Sequence, residues 1–134
     1  MSSTSSARYV LECVRYFSKP LERHKYLELY APSIVLHGYG LEPGIEAVRA
    51  HYEILWGAFP DVSLRTDDIF EAGAKVVSRF AVLGTHLGVF RGIPPTGRHI
   101  EYTGITIFRF AGGRCVERWS QTDRLALMQQ IGQE

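Results

Sequence analysis

Hydrophobic and polar positions follow two different periods along this chain. In the first half apolar residues recur at helical spacing. Val10, Cys13, Val14 and Phe17 fall at i, i+3, i+4 and i+7, the stripe of an amphipathic helix. Pro20 breaks or restarts that helix. The stretch "LERHKYLELY" continues it, with Leu27 and Tyr30 as buried candidates, and Pro32 ends it. The apolar run "SIVLH" reads as a short strand. The clearest helix is "EPGIEAVRAHYEILWGAF", which puts Ile45, Val48, Tyr52, Leu55 and Phe59 on one stripe with Pro43 near its start. From Asp61 the period drops to two. "DVSLRTDDIF", "AKVVSRFAVLGTHLGVF", "RHIEYTGITIFRF" and "RCVERWSQT" read as strands, joined by the turn stretches "EAGA", "GIPPTG" and "AGGR". Gly84, Gly88 and Gly104 lie inside strand patterns and are candidate bulge or bend positions. "RLALMQQ" then reads as a last helix after Asp123. Helices followed by a run of antiparallel strands predict an α+β domain. A strongly bent sheet wrapped over those helices encloses a pocket.

Composition narrows this picture. The chain has 134 residues, 46% hydrophobic and 22% charged, which suits one soluble domain with a real core. The polar start, residues 1–7, is expected to be flexible, and the single domain to run from 8 to 134. Net charge is +1 and the basic residues are scattered, so neither nucleic acid nor an anionic membrane is an expected partner. No apolar stretch suggests a signal peptide or a membrane span. Cys13 and Cys115 sit in a helix pattern and a strand pattern and read as reduced core thiols. A cytoplasmic location is the expectation.

Metal-binding and nucleophile motifs are missing from the sequence. There is no paired Cys, no H-E-x-x-H, no G-x-S-x-G elbow and no Gly-rich phosphate loop. Acid/base and hydrogen-bond chemistry in an apolar cavity remains. Asp123 is its leading candidate. If the last strand continues far enough, Asp123 shares a face with Trp119 and Gln121, a set that suits a pocket wall. Asp directly before "RLALMQQ" is also a favoured N-cap. The residues alone leave both roles open and favour the cap. His37 ends the strand "SIVLH", and His86 sits between glycines in "GTHLG"; each is either a donor to a substrate carbonyl or an ordinary bonded histidine. Arg79, in mid-strand, needs an anion if it points inward. His51 and His99 read as surface positions. The aromatic set Tyr16, Tyr30, Tyr39, Tyr52, Trp56, Phe80, Tyr102, Phe108 and Trp119 is mostly core, with some members available to line a pocket.

The stretch from about Phe59 to Gly132 resembles the SnoaL-like polyketide cyclases of the NTF2-like superfamily. The pieces that carry the likeness are "FPD", an Arg followed by "GTH", "G-PPTGR", the "GGR" turn, "E-W" and "D–L–L–QQ-G". The resemblance implies a cone in which helices pack on a strongly curved, mainly antiparallel sheet around one deep apolar pocket, usually in a homodimer. It implies that Asp123 is the general acid/base of an intramolecular aldol closure. His37 and His86 are then the groups that orient the substrate carbonyls. Trp119, Gln121, Arg79, Tyr16, Trp56 and Phe108 are the expected pocket residues. Neither a metal nor an organic cofactor is implied, and the substrate is a small apolar carbonyl compound, polyketides included. Arg118 and the run Ser120, Gln121, Thr122 depart from the usual pattern and make the pocket mouth more polar. The superfamily also holds isomerases, dehydratases, hydroxylases and epoxide hydrolases, so the fold does not fix the reaction. Epoxide opening calls for an Asp-Arg-Asp set, of which Asp123 and Arg79 supply part. A non-catalytic small-molecule-binding module is the third reading.

Overall fold

The computed structural model describes residues 5–132. Residues 1–4 of the expected flexible start, and 133–134 of the expected domain, lie outside that range. The first helix, α1, runs Ser6–Phe17, and its N-cap Ser5 accepts from the Arg8 N–H at 3.1 Å. Folded structure therefore begins ahead of residue 8. Val10, Cys13 and Phe17 are buried, as the stripe predicts.

The chain after Pro20 departs from expectation. Instead of a continued α-helix, Arg23–Leu29 forms a 3₁₀ segment. Arg23, Tyr26 and Leu29 are all buried there, and their spacing of three is the 3₁₀ period. Strand β1 (Tyr30–His37) then starts before Pro32 and runs through it. Proline is tolerated because β1 is an edge strand, bonded only to the last strand. Helix α2 (Ile45–Ala58) buries Val48, Tyr52, Leu55 and Trp56.

Four strands follow: β2 (Ser63–Ala72), β3 (Lys75–Thr85), β4 (His99–Ala111) and β5 (Arg114–Thr122). The sheet order is β1-β5-β4-β3-β2. β1 lies parallel to β5, and the other pairings are antiparallel. Alternation along β4 is clean, with Ile100, Tyr102, Thr106, Phe108 and Phe110 buried on the inner face. The helices cover that face. Gly104 marks a place where the sheet can only curve around a missing side chain. A Cβ there meets the Gln121 carbonyl, the Phe80 ring and the Thr122 methyl, each at 2.8 Å. Helix α3 (Arg124–Gln130) closes one end. Its Gln130 amide docks on the Glu101 backbone, accepting from the N–H at 2.7 Å and donating to the C=O at 2.8 Å.

One irregularity decides which residues of β5 face inward. Arg109 pairs with Glu117, but the next residue, Phe110, pairs with Cys115. Val116 is the extra residue of a bulge. Cys115 points in, and so do Arg118 and Ser120, each buried. Trp119 and Gln121 fall on the outer face, opposite Ile107 and Ile105.

Candidate functional site

Between the helices and the inner sheet face lies a cavity of about 200 Å³. Phe17, Leu55, Leu64, Phe80, Val82, Phe90 and Leu127 form its apolar wall. Its polar lining comes from Tyr39, His51, Tyr52, Tyr102, Arg91, Arg118, Thr122 and Arg124. Three of these are arginines and none is a carboxylate. Tyr52 and His51 come from consecutive positions of α2, Tyr102 from β4, and Arg118 and Thr122 from the inner face of β5.

Arg118 is the most unusual group. It is 4% exposed. Among the described residues no carboxylate pairs with it; its partners are neutral hydroxyls. Nη1 donates to Tyr30 Oη at 2.6 Å and to Tyr52 Oη, with Tyr26 Oη further off at 3.4 Å. Nε donates to Ser120 Oγ at 3.0 Å, and Nη2 reaches Thr106 Oγ1 at 3.4 Å. Below the guanidinium lies the Phe108 ring, 5.4 Å from centroid to Cζ. Burial opposes the charge and the surrounding tyrosine oxygens favour it, and the group stays a cation. Burial pushes the Tyr26 and Tyr30 hydroxyls well above the usual tyrosine value, so they remain neutral donors and acceptors. A buried cation without a counter-ion is costly to desolvate. An anion in the cavity relieves that cost.

His51 lies beside the cavity on α2, in contact with the rings of Tyr39 and Tyr52, with centroids 4.8 Å and 5.1 Å away. Its expected surface position is corrected by the structure. Burial first, then the positive charges of Arg118, Arg91 and Arg124, pull its pKa down to about 4. At neutral pH it is an uncharged imidazole with a lone pair available.

The expected site residues lie elsewhere. Asp123 is exposed and caps α3, accepting from the Ala126 N–H at 3.0 Å. Its neighbour Thr122 lines the cavity instead. Trp119, Gln121 and His37 are on the outer sheet face. The His37 ring stacks on Trp119 at 5.4 Å, and its Nε2 meets Glu117 Oε2 at 2.8 Å. Parity with Asp123 misled because the Val116 bulge hands the inner face to Arg118. Arg79 is exposed and sits 3.8 Å from Asp67, a carboxylate on the same outer face, so the partial Asp-Arg-Asp set does not meet in the cavity. Tyr16 lies outside, its ring 5.2 Å from Lys25 Nζ. Trp56 is core, stacked on Tyr52, and Phe108 is the floor beneath Arg118.

His86 is fully buried but does not line the cavity. Its Nδ1 accepts from the Thr96 N–H at 3.3 Å and lies 2.9 Å from Thr96 Oγ1. Its backbone bonds Arg98 and Gly97. It therefore anchors the "GIPPTGR" turn. Asp61 of "FPD" accepts from the Thr85 N–H and hydroxyl, both at 2.7 Å, which joins two more of the motifs. Among the described residues no three His, Cys, Asp or Glu side chains gather in a metal-sized group.

Two signals for the real lining were present in the sequence. Tyr39, Tyr52 and Tyr102 belonged to the aromatic set, and Arg118 stood out beside Trp119. His51 had only a weak signal: it stands three residues after Val48, at the border of the buried α2 stripe.

Comparison with known proteins agrees with the fold. The family model for SnoaL-like polyketide cyclase matches residues 15–131. No curated protein matches. Among solved structures, TsrD of Streptomyces laurentii is 26% identical over 98% of both chains, with a TM-score of 0.86. AclR of Streptomyces galilaeus, a candidate hydroxylase, is 26% identical over 98% of this chain and 88% of its own, also at 0.86. A candidate polyketide cyclase from Acidithiobacillus ferrooxidans is 28% identical over 98% and 97%, at 0.77. Helices on a curled, mostly antiparallel sheet make the NTF2-like cone that these neighbours share. With a family match across most of its length and that cone around a single-chain cavity, the chain belongs to the SnoaL-like polyketide cyclase family.

Proposed function

We propose that the cavity carries out cofactor-independent acid/base chemistry on a small carbonyl compound, with a polyketide-type intramolecular aldol closure as the leading reaction. The observation that carries this reading is Arg118, a buried cation held by hydroxyls and facing an apolar cavity without a carboxylate. Neutral His51 removes a proton from carbon between two carbonyl groups. A base whose conjugate acid has a pKa near 4 needs such an already acidic proton. Arg118 and the Tyr52 hydroxyl hold the enolate oxygen that forms. The enolate carbon then attacks a second carbonyl of the same molecule, and protonated His51 returns the proton to the new alkoxide. The apolar wall fixes the folded substrate and excludes water.

The resemblance assigns the acid/base role to Asp123 instead. For that role its carboxylate has to leave the α3 cap and turn past Thr122. Isomerisation and dehydration, which use the same enolate chemistry, and simple ligand binding are the alternative readings. Proton exchange separates these assignments. Benzoylacetone in heavy water reports base catalysis at the methylene without requiring the natural substrate. We expect exchange that His51→Gln and Arg118→Met each slow by about a hundredfold. Full exchange in His51→Gln with none in Asp123→Asn returns the role to Asp123. No exchange in any form supports the binding module.

Homodimerisation belongs to the same proposal. Its support is the outer sheet face, where Phe70 and Ile105 are 53% and 50% exposed beside Ile107 and Trp119. A cytoplasmic setting is supported by the buried, unpaired thiols of Cys13 and Cys115. No helix among the described residues is long and apolar enough to cross a membrane.

A further inference from the structure

Arg118 accounts for one of three arginines that line the cavity. The other two, Arg91 and Arg124, are exposed at its mouth and take no part in the chemistry proposed above. Three observations bear on them. Arg91 occupies a two-residue turn closed by reciprocal bonds between Phe90 and Ile93, at 3.0 Å and 2.8 Å. Its φ is +50°, and that of Gly92 is +80°. Such a position favours Asn, Asp or Gly, and a long cationic side chain there has no conformational advantage. Arg124 is steadied by its Nη2 donating to the Gly38 carbonyl at 3.1 Å, with the Tyr39 ring 6.0 Å from Cζ. Finally, neither arginine meets a carboxylate among the described residues. On the outer sheet face, by contrast, Arg65, Arg79 and Arg109 each lie beside one.

The geometry points to an anionic substrate: one whose carboxylate or phosphate sits between Arg91 and Arg124 at the mouth while its carbonyl portion reaches Arg118 inside. This inference rests on the reading of the cavity as a substrate site. It narrows the substrate class from neutral carbonyl compounds to acids. The cavity supplies a gradient that suits such a molecule, with cations at both ends and apolar walls between. Arg91 and Arg124 line the same cavity as His51. The bound anion therefore also lies within range of the base. Its charge raises the basicity of His51 when substrate is in place, which couples binding to proton removal.

Benzoate, phenyl phosphate and methyl benzoate test this with the intact protein. All three carry the same ring, and only the ester is neutral. Titration calorimetry or line broadening in NMR gives their relative affinities. We expect both anions, or the phosphate alone, to bind at least about tenfold more tightly than the ester, which is one 1.4 kcal/mol step. The advantage shrinks as salt rises, because the mouth is open to solvent. A carboxylate preference marks a free acid as substrate, and a phosphate preference marks a phosphorylated carrier or ester. Arg91→Gln with Arg124→Gln removes the advantage and leaves the ester's affinity unchanged. Equal binding of anions and ester overturns the inference and spares the pocket reading. An anion advantage that survives the double variant and disappears in Arg118→Met overturns the placement at the mouth. Failure of all three probes to bind contradicts both readings.

Discussion

Arg118 Nη1 donates to the Tyr30 hydroxyl at 2.6 Å, tying β5 to the first residue of β1 beneath the cavity. The bond lies where a buried cation ordinarily finds a carboxylate. Here the polar partners are uncharged, and they also bond one another: Tyr26 Oη lies 3.3 Å from Tyr52 Oη and bonds Tyr30 Oη as well. Removing the cation therefore leaves the hydroxyls paired, whereas removing a hydroxyl leaves the cation short. Arg118→Met is expected to keep or slightly raise the urea midpoint, because a desolvated charge gives way to an apolar chain of similar length. Tyr30→Phe is expected to lower stability by about 1–3 kcal/mol. Destabilisation by Arg118→Met as large as that by Tyr30→Phe contradicts this picture.

The pH dependence follows from His51. Its folded-state pKa, about 4, is below its ordinary value of 6.5. The unfolded chain thus binds the extra proton first as pH falls. Stability is fully present above pH 6.5 and drains away towards pH 4. The shift corresponds to about 3 kcal/mol when complete. Urea unfolding at about pH 7 and about pH 4.5 is expected to show a smaller difference for His51→Gln than for the parent chain. An unchanged difference means that burial and the nearby arginines do not hold the imidazole neutral.

Asp123 gives a prediction of opposite kind. Its carboxylate accepts the Ala126 N–H, so Asp123→Ala is expected to cost about 1 kcal/mol and Asp123→Asn much less. Thermal melts of the two variants check it. Equal melting temperatures in all three chains show that the cap does not form in solution.

Dimerisation through the outer sheet face is tested by Ile105→Glu. Ile105 is half exposed on the outer face that also carries Ile107, Trp119 and Phe70, and a charge there opposes burial against a second copy. Sedimentation is expected to give a dimer for the parent chain and a monomer for the variant. A parent chain that sediments as a monomer removes the dimer from the account.

Much of the fold was legible because its patterns are long. The α2 stripe buries Val48, Tyr52, Leu55 and Phe59 as expected, and β4 forms over the stretch read as a strand. The site was less legible, and the reasons are local. One inserted residue, Val116, exchanges the faces of β5. Trp119 and Gln121 go out, and Arg118 comes in. No sequence period marks a bulge made of an ordinary valine. His86 reads as a donor to substrate, yet its ring bonds Thr96 of the "GIPPTGR" turn. The spacing of three at Arg23, Tyr26 and Leu29 could have revealed the 3₁₀ segment, but it also fits the start of an α-helical stripe.

The central claim is that Arg118 and His51 form a base site inside the cavity. Methylene exchange of benzoylacetone in heavy water measures it most directly, with the parent chain, His51→Gln, Arg118→Met and Asp123→Asn compared at equal concentration. The account predicts catalysed exchange in the parent chain and in Asp123→Asn, and a loss of about a hundredfold in each of the other two. Exchange that persists in His51→Gln and Arg118→Met but vanishes in Asp123→Asn contradicts it.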